Sequence, residues 1–247
     1  MHTPTAIQAL GVWERGQGQG PARRGLELLS LARPETSIEE LADLSVGARN
    51  ANLLELYAAM FGGALEGCTD CPACGEAMET SFAPEDLLPR SAAAPDCRLD
   101  LTAAGYDVQL RLLTSRDLIA ASQIGSAERR HELLTRCVVT AKVGDTQVPA
   151  GQLPAEIIDA AAQRLSAADP QADIRLSLAC ASCRHRWTVP FDILLFLWSK
   201  LDTWARRQLR EIHVLASAYG WCEADILALS PVRRRHYLEL VESWPTI

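Results

Sequence analysis

Lysine is scarce in this chain of 247 residues: of 24 basic side chains only Lys142 and Lys200 are lysines. The remaining basic residues are arginines, which suit planar, two-point contacts with carboxylates and are at home in protein interfaces. A surplus of positive charge is also missing, with a formal net charge of −7 and a pI near 5.3. That balance disfavours nucleic acid as a partner, because nonspecific affinity for phosphates comes from clustered cations. Long apolar runs are absent as well. The longest, residues 193–198, falls far short of the roughly 20 residues that cross a bilayer, so no membrane span is expected. Residues 1–21 hold an early polar mix with no uninterrupted apolar stretch, so no secretory signal is expected and the protein should stay in the cytoplasm.

Catalytic signatures are missing too. There is no His-Glu-x-x-His, no Gly-x-Ser-x-Gly and no phosphate loop, and His2, His131, His213 and His236 are dispersed. Without a nucleophile, a base and an oxyanion site in one pattern, a non-enzymatic role is expected. Gly16-Gln-Gly-Gln-Gly20 superficially resembles a phosphate loop, but no strand precedes it and no Lys-Ser/Thr follows; it reads as a flexible linker.

What the chain does contain is ample material for a core, with 48% hydrophobic residues, in a length between one large domain and two small ones. The fold class expected is α+β, in three stretches. Residues 1–63 read as helices over 6–13, 22–32, 37–43 and 48–61, and Ser37 with Glu40 fits a capping box. Residues 64–189 change to short strands and turns. Arg98-Leu-Asp-Leu-Thr and Tyr106-Asp-Val-Gln-Leu-Arg-Leu alternate apolar and polar positions around Ala-Ala-Gly105 and predict a hairpin. Residues 137–143 and 146–148 predict a second hairpin, residues 127–134 and 154–168 helices, and residues 174–178 one more strand. In residues 190–247, apolar side chains from Leu194 to Tyr219 recur every three or four positions and predict one long helix ending at Gly220. Two shorter helices follow, over 223–229 and 231–242, the second capped by Ser230.

Eight cysteines in a reducing compartment are not expected to form disulfides. Cys71-Pro-Ala-Cys74 and Cys180-Ala-Ser-Cys183 are two Cys-x-x-Cys turns, each beside strand-like sequence, Met78-Glu-Thr-Ser-Phe82 and Trp187-Thr-Val. Together Cys71, Cys74, Cys180 and Cys183 supply the four thiolates that a structural zinc prefers. The long stretch between the pairs makes this a split zinc ribbon with the hairpins inserted. Cys68, three residues before Cys71, offers a competing pair; Pro72 and Gly75 favour Cys71 with Cys74. His185 is an alternative ligand, although four thiolates complete the shell. Cys97, Cys137 and Cys222 are expected in the core.

The C-terminal sequence carries a family likeness. Pro190-Phe-Asp-Ile-Leu-Leu-Phe-Leu-Trp198, Trp204-Ala-Arg-Arg-Gln-Leu-Arg-Glu-Ile-His213, Ala218-Tyr-Gly-Trp221 and the segment from Ala224 through Ser230-Pro-Val-Arg-Arg-Arg-His-Tyr-Leu238 resemble the baseplate hub assembly chaperones of T-even phages. Related proteins of other contractile tails and of phage-tail-like injection systems share the likeness. Members of that family often carry the two cysteine turns, and the likeness extends more weakly to the N-terminal helices. It implies a non-enzymatic role in building the hub of a contractile tail, as a transient chaperone or a retained baseplate component, with hub or other tail proteins as partners. Cys222 departs from the pattern, where a Ser-like cap is expected.

The same region concentrates aromatic residues (Trp198, Trp204, Tyr219, Trp221, Tyr237, Trp244) and arginines, the combination enriched at interface hot spots. Trp198, Trp204, Arg206, Arg210, Trp221 and Arg234 are the expected partner-binding residues. A zinc-ribbon regulator of nucleic acids is the alternative class. It would need a basic stripe around the cysteine turns, where Arg184 and Arg186 face Glu66, Asp70, Glu76 and Glu79. A metalloenzyme would need an open metal site.

Overall fold

The computed structural model describes residues 3–88 and 98–243, without the side chains of residues 126 and 127. His2, Cys97 and Trp244, singled out from the sequence, lie outside the described residues. The architecture is α+β, as the periodicities predict. Four helices open the chain: α1 (Ala6–Gly16), α2 (Pro21–Ala32), α3 (Ile38–Asp43) and α4 (Val46–Phe61). Their starts are written in the sequence. Thr5 with Gln8 and Ser37 with Glu40 form reciprocal capping boxes, and Ser45 caps α4.

Two antiparallel hairpins, β1 (Leu65–Asp70) with β2 (Ala77–Phe82) and β7 (Arg175–Ala179) with β8 (Arg186–Pro190), carry the Cys-x-x-Cys turns at their tips. Between them lies a four-stranded antiparallel sheet, β3 (Arg98–Ala103), β4 (Tyr106–Arg111), β5 (Val138–Val143) and β6 (Thr146–Gln147), in that order. The β3–β4 turn has positive φ at both Ala104 and Gly105, the geometry that a two-residue hairpin needs to match the strand twist. Helices α6 (Ser126–Cys137) and α7 (Ala155–Ala168) accompany this sheet, while α5 (Ser115–Ala120) packs on α2 and α3. Ile157, Ile158 and Ala161 of α7 pack on Leu99, Val108 and Leu110 as a separate core.

The last described residues form α8 (Ile193–Tyr219), α9 (Glu223–Ala228) and α10 (Pro231–Glu242). Asp192 caps α8, accepting the Leu195 N–H at 3.1 Å, and Gly220 closes it in the left-handed region at φ 68°. Ser230 caps α10 as predicted. Helix α8 belongs to two cores. Its first half (Ile193, Leu194, Leu197, Leu201) packs with α2, α4 and the knuckle residues Leu65, Leu176 and Leu178. Its second half (Ala205, Ile212, Leu215) packs with Leu10 and Ile226. A two-stranded hairpin is marginal in water by itself, so the knuckles depend on this shared core.

A buried polar strand of contacts returns the second knuckle to the first. The Gly47 N–H, in the first turn of α4, donates to Asp169 Oδ2 at 3.0 Å. Asn50 Nδ2 donates to the Gln171 carbonyl at 2.8 Å, and Gln171 Nε2 donates to the Leu87 carbonyl. The first two bonds pin the segment before β7 to α4, and the third pins it to Leu87 in the connection after β2.

Outside the expected partner surface, two residues stand differently from what the sequence suggests. Gly16 is not part of a flexible linker: it is buried as the last residue of α1, where a Cβ would stand 2.2 Å from the Trp198 ring. Cys222 is exposed rather than in the core, and its thiol donates to Asp225 Oδ2 at 3.0 Å instead of accepting a backbone N–H. Cys137 is buried as expected.

Candidate metal centre and partner surface

Each knuckle is a tight turn closed by the same two bonds. In the first, the Cys71 N–H donates to the Glu76 carbonyl at 2.9 Å and the Gly75 N–H to the Cys71 carbonyl at 2.8 Å. In the second, the Cys180 N–H donates to the His185 carbonyl and the Arg184 N–H to the Cys180 carbonyl, both at 2.9 Å. The residue after the second cysteine has positive φ in both, Gly75 at 75° and Arg184 at 61°. This shared geometry turns both thiols of a pair to one side.

The two turns face each other, so that the Sγ atoms of Cys71, Cys74, Cys180 and Cys183 all lie within 4.8 Å of one another. Cys71 Sγ stands 3.6 Å from Cys183 Sγ, and Cys74 Sγ 3.7 Å from Cys180 Sγ. All four are free thiols. Four sulfurs bonded tetrahedrally to a metal at about 2.3 Å are separated by about 3.8 Å, so the two separations fit a shared metal ion rather than disulfides at about 2.05 Å. Cys71 and Cys180 are 2% exposed while Cys74 and Cys183 face outward. The hairpins therefore present a zinc-ribbon-like cluster with two inner and two outer ligands, able to hold one metal ion.

The local electrostatics favour ionising one thiol of the set. Backbone N–H groups of Cys183 and Ser182, with the neighbouring thiols Cys183 and Cys74, outweigh burial and bring Cys180 down to about 7. For Cys74 the largest single influence, the Glu76 N–H, is lowering, but proton sharing with the other three thiols and burial together push it up to about 12. The competing ligands stand apart. Cys68 is exposed on β1 opposite Glu79 and lies outside the cluster, and His185 stacks its ring on Trp187 at 5.8 Å between centroids.

The residues expected to bind a partner divide in two. Arg206 and Arg210 are exposed one turn apart on α8, Arg206 held by Asp202 at 2.8 Å. The Asp202 carboxylate raises the Arg206 pKa, and the Arg206 guanidinium with the Trp13 N–H lowers that of Asp202. Trp204 and Trp221 are half-buried; Trp221 stacks on Tyr219 at 4.6 Å and meets Tyr237 edge-on at 4.9 Å. Trp198 and Arg234 do not belong to a free surface. Trp198 is 8% exposed, wedged against Gly16 with the Arg24 guanidinium 4.6 Å from its ring centre. Arg234 is 7% exposed and bonds Glu211 Oε2 at 3.1 Å. Both are packing residues, because the helices that cover them come from distant sequence.

Two residues of this region escaped the sequence reading. Glu211 accepts from Arg207 at 2.8 Å as well as from Arg234, and Gln208, 3% exposed, lies one turn before it. The four-residue spacing of Arg207 and Glu211 was a legible signal; the burial of Gln208 was not.

Comparison with family models, curated proteins and solved structures finds no match for this chain. Among the described residues no helix is long and apolar enough to cross a membrane.

Proposed function

We propose that this chain is a non-enzymatic assembly or structural protein of a contractile-tail baseplate that binds hub components and is stabilised by one structural zinc ion. The metal reading is carried by the four-sulfur cluster with its 3.6 and 3.7 Å separations. Four thiolates are a soft, tetrahedral donor set, which suits zinc, and a shell filled by protein leaves no position for substrate. Bound there, the ion supplies a cross-link between the two hairpins. The chain's own part is to bring the turns together through the shared core and the Gly47–Asp169 and Asn50–Gln171 bonds.

The assembly reading is supported by the likeness of residues 190–238 to baseplate hub assembly chaperones, and by exposed arginine beside half-buried tryptophan on α8. Arg206 and Arg210 would meet acidic groups of a hub protein in the cytoplasm during assembly, whether or not the chain stays in the finished particle. The nucleic-acid alternative gains nothing from the knuckles, where Glu66, Asp70, Glu76 and Glu79 are all exposed beside Arg184 and Arg186.

The test is Arg206→Glu with Arg210→Glu in cells assembling tails. The proposal expects no tails, with a folded, metal-loaded monomer that loses less than about 1 kcal/mol of stability. Normal tails from the double variant would overturn the assignment of that surface, and co-purified proteins that include no tail component would overturn the function.

A further inference from the structure

A crevice of about 210 Å³ runs between α8 and α10, lined by Trp204, Arg207, Gln208, Glu211, Arg234 and Arg235 among others. Its charges are unbalanced. One carboxylate, Glu211, is shared by Arg207 and Arg234, while Arg235 is exposed and makes no ion pair among the described residues. Gln208 adds a second, independent feature. Its Nε2 donates to Glu211 Oε2 at 3.4 Å, which fixes the amide, because the reversed orientation would set two oxygens against each other. The buried Oε1 is then an acceptor, and no donor among the described residues reaches it. A buried carbonyl left without a donor is costly, which makes it a place where a donor from outside is favoured.

We propose that this crevice is the docking site for an acidic peptide segment of a partner protein. A side-chain carboxylate of the segment pairs with Arg235 and the free edge of Arg207, a backbone N–H donates to Gln208 Oε1 once that buried oxygen turns toward the crevice, and Trp204 provides an apolar wall. A peptide offers the anion and the donor within one residue of each other. A phosphate ester or nucleic-acid backbone offers the anion without the donor. The inference rests on the assembly reading only for the partner being a tail protein; the crevice is tested apart from tails.

The full-length, metal-loaded protein is titrated with the peptide acetyl-Ala-Glu-Glu-Ala-Glu-Glu-Ala-amide, with its all-Gln counterpart, with inorganic phosphate and with a single-stranded oligonucleotide. The readouts are the indole N–H resonance of Trp204 and the anisotropy of labelled peptide. Saturable binding of the acidic peptide alone is expected, weakened about tenfold or more by Arg235→Glu and by Gln208→Met, and unchanged by Arg233→Glu, the same charge change on the same helix outside the crevice. Arg235 is exposed, so its variant keeps the test valid should Gln208→Met fold poorly. Equal binding of the Gln peptide, equal weakening by Arg233→Glu, tighter binding of phosphate or oligonucleotide, or no saturation would each overturn the proposal. Peptide binding as expected alongside normal tails from the Arg206/Arg210 variant would leave the crevice standing and remove the surface argument for assembly.

Discussion

The indole of Trp198 lies so close to Gly16 that a β-carbon on that glycine would stand 2.2 Å from the ring. The contact locks the end of α1 onto α8, beside the bond from Trp13 Nε1 to Asp202 Oδ1 at 2.8 Å. Gly16→Ala should therefore force the indole to shift and destabilise the fold by about 1–3 kcal/mol, the usual cost of overpacking. Gly20→Ala, at the N-cap of α2 with nothing within 4 Å of the added carbon, should change stability by less than about 1 kcal/mol, since a poorer cap opposes alanine's lower chain entropy. Urea unfolding of both variants checks the difference.

Asp117 predicts part of the acid sensitivity. It accepts from Arg111 through both oxygens at 2.7 and 2.8 Å and from Thr114 through the backbone N–H and hydroxyl. Burial, the largest single influence, raises its pKa, but these bonds together hold it below the usual value of 3.8. A depressed folded-state pKa contributes stability above the unfolded value, and that contribution is lost as pH falls through the folded one. Asp117→Asn should cost about 1–3 kcal/mol at neutral pH, towards the lower end because Arg111 is 37% exposed and screened by water. The variant should also lose stability less steeply than the parent below about pH 4. Thermal unfolding across pH 2.5–7 for both proteins gives the comparison, on the order of one pH unit per step.

Local signals carried much of the fold. The capping pairs Ser37–Glu40 and the Ser230 cap, the Ala104–Gly105 hairpin and the bounds of α10 are decided by residues a few positions apart, and all stand as the sequence predicts. The cysteine cluster was legible because each Cys-x-x-Cys turn aims its own thiols. What the sequence did not disclose depends on contacts between distant segments. Trp198 and Arg234 read as partner anchors because nothing in their own neighbourhood shows that α1 and α8 cover them, and Gly16 read as a linker because its contact is with distant Trp198. Helix α5 went unnoticed: it is six residues long, too short for a periodic pattern, and its start depends on Thr114 and Asp117.

At the position after the second cysteine the two knuckles set Gly75 against Arg184, both at positive φ. A non-glycine residue in this region costs about 1–2 kcal/mol, against about 0.5–1 kcal/mol of extra chain entropy that glycine loses on folding. Arg184→Gly should thus stabilise the metal-loaded protein by up to about 1 kcal/mol, and Gly75→Ala should destabilise it by about as much. Nothing lies within 4 Å of a Cβ at Gly75, so the second effect isolates the backbone. Melting temperatures at fixed metal saturation decide both.

Trp221 shares a small core with Tyr219 and Tyr237. Trp221→Ala should lower stability by about 2–4 kcal/mol through lost packing. Arg206→Glu with Arg210→Glu should cost less than about 1 kcal/mol, since it removes only an exposed ion pair with Asp202. Differential scanning calorimetry on the two variants separates packing from surface charge before either is scored for assembly.

The central claim is that Cys71, Cys74, Cys180 and Cys183 hold one zinc ion as part of the fold. Elemental analysis of freshly prepared, reduced protein tests it most directly, read beside the melting temperature of the same sample. Zinc close to one per chain is predicted, with Cys74→Ser and Cys183→Ser lowering zinc content and melting temperature together, since binding energy at such a site is also folding energy. A folded, reduced protein without zinc, or serine variants that lose the metal and melt like the parent, would contradict it.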